Sequence, residues 1–328
     1  MFFVDIMGTQ PLHQLRASPL AMRLVTTEEG WHEVKLRPGG GGVTTPGQAL
    51  AQGDSVLVLE DIIDAATSAT LMRLGMHAAE KQERSFWRRA GSFAVEFTSN
   101  NRQSKGRTRM PIAGLHSETA TRFNAVLSRA LTRVDESLPS VAALFQSGFR
   151  EMPASHRRRF LARVDGEGLS LPSLSKLHAG GGLEFSTREP AINVYTTEGR
   201  PACIRSRTRP QVSPQLCLPR ALSGLPQCAS HHPAGEFNAH VDRQTLTMLI
   251  PLSPPDGYVG GGTGFWSGDA GDQRSEPPSV VLRPSPGSAL LYGGSVLHAG
   301  MPVLSGCRVI FLASFSVRRF DLRLLENE

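Results

Sequence analysis

Three residues in the second half of the chain have the types and spacing of a metal site: His240, Asp242 and His298. Two imidazoles and one carboxylate are the donor set of a 2-His-1-carboxylate iron(II) centre, which ligates one face of the metal and leaves the other open. If the segment is a strand, its period of two puts His240 and Asp242 on one face, within reach of one ion. His298 lies far along the chain, as expected for a ligand from a partner strand. A lone His-x-Asp carries little weight. Acidic residues make up roughly a tenth of an average chain, so ten histidines give about one such pair by chance. Arg308, ten residues after His298, adds the specificity. It begins the apolar run Arg308-Val309-Ile310-Phe311-Leu312-Ala313-Ser314-Phe315, which reads as a buried strand. An arginine there needs an anionic partner, and its planar fork suits a carboxylate.

The stretch from Gly235 to Arg308 resembles the 2-oxoglutarate- and Fe(II)-dependent dioxygenases, most closely their prolyl 4-hydroxylase-like branch. The matching residues are His240 and Asp242, the turn Gly261-Gly262-Thr263-Gly264-Phe265, His298, and the basic residue Arg308. The turn departs from the family pattern by lacking one spacer before its threonine. The good match spans about a quarter of the chain, with weaker family character from about residue 55. The resemblance implies an α+β fold with a double-stranded β-helix (jelly roll) core flanked by N-terminal helices. It also implies Fe(II), 2-oxoglutarate as co-substrate, O2, and L-ascorbate to rescue oxidised iron. His240, Asp242 and His298 would be the metal ligands, and Arg308 would hold the distal carboxylate of 2-oxoglutarate. The implied reaction hydroxylates a C–H bond, of a peptidyl prolyl or similar side chain, and releases succinate and CO2. Small-molecule or nucleic-acid substrates are an alternative outcome at the same site. A catalytically impaired jelly-roll binding protein is another.

The elements that must carry these residues are legible in part. Residues 1–53 are rich in Gly, Thr and Gln without sustained periodicity, and read as a disordered leader. Residues 54–150 read as a helical support region. Within it Ser55–Leu59 is a strand, and a helix follows from about Asp61, capped by Asp61 or Asp64, with Leu71, Leu74 and Ala78 on one face. Residues 91–114 look like an exposed loop around Lys105-Gly106-Arg107. In the next helix Ser117 is the expected cap, and Phe123, Val126, Leu127, Ala130, Leu131 and Val134 recur at helical spacing. From residue 151 the pattern turns to strands separated by Pro and Gly: 159–164, 192–195, 245–252, 279–282, 288–292 and 308–317. Short strands at this spacing predict an antiparallel sandwich or jelly roll.

Composition sets limits. Forty per cent of the 328 residues are hydrophobic, an ordinary share, and no run of eighteen apolar residues predicts a transmembrane helix. Met1–Met7 has an acid at Asp5 where a signal peptide needs its apolar core, so a cytoplasmic location is expected. Five arginines (Arg200, Arg205, Arg207, Arg209, Arg220) account for most of the net charge of +6. They lie in one acid-free stretch, so the basic pI does not argue for a nucleic-acid partner. Peptide or small-molecule substrates are expected instead.

That basic stretch, residues 200–234, interrupts the pattern. It is rich in proline, holds Cys203, Cys217 and Cys228, and lacks periodic apolar residues. Removing it joins Tyr195-Thr196-Thr197-Glu198-Gly199 to Gly235-Glu236-Phe237, which looks like an uninterrupted family segment. It is read as a translated intron, with a genuine loop at the site mouth as the second reading. A zinc site from its cysteines with His231 and His232 fits no compact ligand spacing. Two further residues are assigned to co-substrate binding: Tyr195, whose phenol shares a strand face with Asn193, and Thr263 in the glycine turn. Asn193 and Tyr292 are cavity-lining candidates. Trp266 reads as cover for the barrel end.

Overall fold

The structure, a computed structural model, describes residues 3–5, 24–26, 31–36, 45–90, 107–145, 155–156, 173–196, 239–267 and 277–317. The strands are β1 (Phe3–Asp5), β2 (Leu24–Thr26), β3 (Trp31–Lys35), β4 (Ser55–Leu59), β5 (Arg107–Pro111), β6 (Leu183–Phe185) and β7 (Ala191–Thr196). They continue with β8 (Leu246–Pro251), β9 (Tyr258–Gly260), β10 (Thr263–Phe265), β11 (Val280–Arg283), β12 (Ala289–Gly293), β13 (His298–Gly300) and β14 (Val303–Val317). The helices are α1 (Pro46–Gln52), α2 (Ala65–Ala90), α3 (Ser117–Ser137) and α4 (Leu174–Ala179).

The strands form two sheets. The larger runs β2-β3-β4-β12-β8-β14-β7-β5, with β6 and β9 also pairing with β14, and the smaller runs β1-β11-β10-β13. Pairing is antiparallel except between β1 and β11. This is a double-stranded β-helix: two sheets facing each other, with helices on the outside of the larger one.

Period-two alternation decides what each face does. Along β14, Val309, Phe311, Ala313 and Phe315 join the core shared with the helices, whereas Ile310 joins the core between the sheets. Strand β7 splits the same way, with Ile192 and Val194 toward the helices and Tyr195 toward the opposing sheet. In β8, Leu246, Met248 and Ile250 face outward to the helices and Leu249 inward. Phe123 of α3 stacks on Phe311 at 5.3 Å between centroids. Gly75 brings α2 so close to β7 that a Cβ there would meet Ile192 at 3.0 Å.

Several expectations need correction. The stretch 1–53 is not uniformly a disordered leader. It supplies β1, β2 and β3 to the two sheets and the helix α1. Thr45 starts α1 with a reciprocal capping box to Gln48, and Leu50 is buried in the helix-side core. These signals are short, and propensity summed over the Gly-rich stretch hides them. Arg107–Pro111, read as part of a loop, pairs with β7 as an edge strand. Its two arginines at alternate positions mask the strand pattern. Ser117 does not cap α3. It is the first helical residue after His116, which makes no side-chain cap bond. Asp64 does cap α2, accepting from the Thr67 amide at 2.7 Å. The apolar stripe expected in α3 is buried throughout. The expected strand at 159–164 and the stretch 200–234, with its cysteines, His231 and His232, lie outside the described residues.

Candidate active site

The site lies between the sheets at the end where β8, β12 and β13 meet. His298 opens β13, whose backbone pairs with β10 so that Phe265 lies opposite His298 and Thr263 opposite Gly300. His240 is joined to His298 by a single bridge, with both backbone N–H···O bonds made (2.9 and 3.0 Å). That bridge brings the imidazoles together, with ring centroids 4.3 Å apart and the rings tilted by 49°. Beyond His240 no strand pairing continues to Asp242, which lies just ahead of the bend at 243–245 that leads into β8. Gly294 makes room for that bend, since a Cβ on it would overlap the Gln244 carbonyl oxygen.

The three side chains converge. One ligand atom from each of His240, Asp242 and His298 lies within 4.8 Å of the others. Asp242 bridges the pair, with Oδ1 3.6 Å from His240 Nε2 and Oδ2 3.6 Å from His298 Nε2. His298 Nδ1 lies 3.0 Å from the Val296 carbonyl. A carbonyl only accepts, so Nδ1 carries the proton and the Nε2 lone pair faces the site, as a metal ligand requires. Ligand atoms on adjacent corners of an octahedral cation lie about 3 Å apart for bonds of about 2.1 Å. The donor set therefore fits a divalent ion with small side-chain movements.

A cavity of about 170 Å³ opens beside the triad. Its floor is the inner face of the larger sheet: Tyr195 and Asn193 from β7, Arg308, Ile310 and Leu312 from β14, and Leu249 from β8. Thr263 closes it from the smaller sheet. Arg308 is 3 % exposed, and it reaches across the gap to donate to Thr263 Oγ1 at 2.8 Å. Its guanidinium carbon lies 5.3 Å from the Tyr195 ring centroid, a cation–π contact. Its Nη1 is buried and has no hydrogen-bond partner. Arg308, Tyr195 and Thr263, singled out separately from the sequence, thus come together in one cavity that His240, Asp242 and His298 also line. Asn193 lies on the cavity wall fully buried, and both its amide atoms lack partners. Tyr292 packs on His298 at 4.6 Å between centroids. Burial, together with the nearby Asp242 and Glu189 charges, pushes its phenol well above the ordinary value. That shift favours the neutral phenol. Trp266 packs with Leu297 and Ala299 in a small apolar cluster of its own.

Sequence reasoning missed part of the wall. Arg107 and Arg109 from β5 and Glu189 line the cavity. Arg109 pairs with Glu189, which is 5 % exposed in its side chain. Burial raises the Glu189 carboxyl while the Arg109 charge and the Ser314 amide oppose it. Burial pulls the Arg107 guanidinium below the usual arginine value. The i, i+2 spacing of Arg107 and Arg109 was the available signal, because that spacing is one face of a strand.

No family model and no curated protein matches the chain. Among solved structures, a collagen prolyl hydroxylase of Paramecium bursaria Chlorella virus-1 in complex with 2-oxoglutarate matches at 12% identity. That match covers 82% of this chain and 99% of the viral one, with a TM-score of 0.37. A Pseudomonas putida prolyl-4-hydroxylase matches at 11% identity, covering 80% of this chain and 92% of that one, with a TM-score of 0.35. A prolyl hydroxylase from Trichoplax adhaerens matches at 9% identity over 86% and 90% of the respective chains, with a TM-score of 0.35. With scores this low, the chemistry assigned below rests on this chain's own residues. Their geometry is two facing sheets with a His-Asp-His cluster and a buried arginine lining one cavity between them.

Proposed function

We propose that this protein is an Fe(II)- and 2-oxoglutarate-dependent dioxygenase that hydroxylates a C–H bond, in a peptidyl prolyl or similar side chain, with release of succinate and CO2. The observation that carries this reading is the buried Arg308 guanidinium, with one nitrogen unpartnered, in the same cavity as a His-Asp-His triad. An unsatisfied buried cation is costly, so the cavity calls for an anion beside Arg308. In the same cavity, three ligands on one face leave room for a chelating group. A keto acid with a distal carboxylate meets both demands.

When bound, the iron supplies the oxidation that couples loss of CO2 from 2-oxoglutarate to hydroxylation of the substrate. His240, Asp242 and His298 hold it. Arg308 and Thr263 bind the distal carboxylate, and the Tyr195 ring keeps the guanidinium in place. Leu249, Ile310 and Leu312 form an apolar wall that limits water. Tyr292 offers a neutral donor next to His298. The prolyl substrate and the use of ascorbate extend the reading through the resemblance of the His-x-Asp segment to its family.

Anaerobic titration with Fe(II) and 2-oxoglutarate tests it. The wild type should develop the weak visible band of an iron-chelated keto acid. Asp242→Ala should retain no iron and show no band. Arg308→Ala should retain iron but bind 2-oxoglutarate more weakly, by the roughly 2–5 kcal/mol typical of losing one member of a buried charge pair. No band in the wild type would sink the dioxygenase assignment. With the band present, a prolyl peptide that gains one oxygen atom only in the presence of 2-oxoglutarate would support the substrate class.

A further inference from the structure

Because Asp242 lies beyond the His240–His298 bridge and pairs with no strand, sheet register does not aim its carboxylate. Thr247, on β8, does so. Its hydroxyl lies 2.5 Å from Asp242 Oδ2 and 3.1 Å from the hydroxyl of Ser314, which stands opposite it in the β8–β14 register. A hydroxyl has one proton to give, and an ionised carboxylate can only accept. Thr247 therefore donates to Asp242, and Ser314 donates to Thr247. Ser314 is anchored from the far side. Its amide donates to Glu189 Oε2 at 2.5 Å, and its carbonyl accepts from the Ser186 amide at 2.9 Å. Arg109 holds the other Glu189 oxygen. Thr247 is 0 % exposed and Ser314 1 %, so neither hydroxyl serves solvation.

We propose that Thr247, backed by Ser314, is the positioning residue that presents Asp242 to the metal through one oxygen. This rests on the metal-site reading above. Charge-assisted O–H···O⁻ bonds are the strong ones, and this one fixes the plane of the carboxylate while leaving Oδ1 for the ion. Coordination through one oxygen keeps a position open that a chelating aspartate would occupy, and a chelating keto acid with oxygen needs that position. The bland alternative is a β-branched strand residue whose hydroxyl happens to find a neighbour.

The test titrates the full-length apoprotein calorimetrically with Mn(II), which does not oxidise during the measurement. It compares wild type, Thr247→Val, Thr247→Ser and Ser314→Ala, with a circular-dichroism melt of each. Loss of a group that orients a metal ligand typically costs about 10- to 100-fold in affinity. Thr247→Val, which keeps the shape and loses the hydroxyl, should show that loss. Thr247→Ser should restore Mn(II) binding to within about threefold of wild type, and Ser314→Ala should fall between the two. Thr247→Val binding Mn(II) as tightly as wild type would overturn the proposal. Should that variant fail to fold, equal affinity in Ser314→Ala overturns it instead. A wild type that binds no Mn(II) removes the metal site itself, an outcome distinct because it appears before any substitution.

Discussion

At the scale of single residues, the site is defined by polar groups with unspent hydrogen-bonding capacity. Arg308 has a buried nitrogen without a partner, and Asn193 has two amide atoms in the same condition. Most buried polar groups in folded proteins are satisfied, so two such residues on one cavity mark it as built for an occupant. This separates stability from binding at Arg308. Replacing a poorly compensated buried charge with an apolar side chain is often neutral or stabilising. Arg308→Leu should therefore leave the urea-unfolding free energy of the apoprotein within about 1 kcal/mol of wild type, or raise it. The same variant should lose 2-oxoglutarate binding. A loss of several kcal/mol of apoprotein stability would instead make Arg308 a structural ion-pair member.

Elements place these residues where sequence spacing alone does not. His240 and Asp242 are two apart, yet only His240 is held by strand-like pairing. The bend that follows Asp242 packs on Gly294, in the turn between β12 and β13, with Gly294 N–H donating to the Thr245 carbonyl at 3.2 Å. No side chain fits there. Gly294→Ala should push the bend outward and take Asp242 away from the histidines. Mn(II) affinity is expected to drop at least as far as in Thr247→Val, with a lower melting temperature as well. Unchanged Mn(II) affinity would mean that the bend relaxes without moving the carboxylate. The Gly260–Gly262 turn works differently. All three residues have positive φ (72°, 65° and 97°), the left-handed region open to glycine at little cost. That path lets the chain leave β14 at β9 and join the smaller sheet at β10, setting Thr263 opposite Arg308.

Over the whole molecule, the larger sheet divides its labour by face. The helix side is an apolar core, and the side toward the smaller sheet carries the chemistry. Phe311 illustrates the first role, since it is 1 % exposed and packs on Phe123. Phe311→Ala should cost about 3–5 kcal/mol of stability, as core aromatic truncations do. Mn(II) affinity of the folded fraction should stay near wild type, because Phe311 points away from the cavity. A metal affinity that falls with Phe311→Ala would show that the two faces are mechanically coupled. Among the described residues, no helix is long and apolar enough to cross a membrane.

Sequence by itself determined the candidate site residues and the elements with strong periodicity. His240, Asp242, His298 and Arg308 could be named from type and spacing. The α3 stripe and strands β7, β8, β12 and β14 could be named because one repeating burial environment acts on many consecutive residues. Only the tertiary structure decided the rest. Short elements such as α1 and β3 have too few residues for a pattern and are held by long-range pairing. Arg107, Arg109 and Glu189 looked like surface charges until β5 was paired with β7 and brought them to the cavity. Thr247 and Ser314 are 67 residues apart, and no local rule joins two buried hydroxyls across that distance. Their bond to each other exists because antiparallel register sets β8 against β14, and register is a property of the folded sheet.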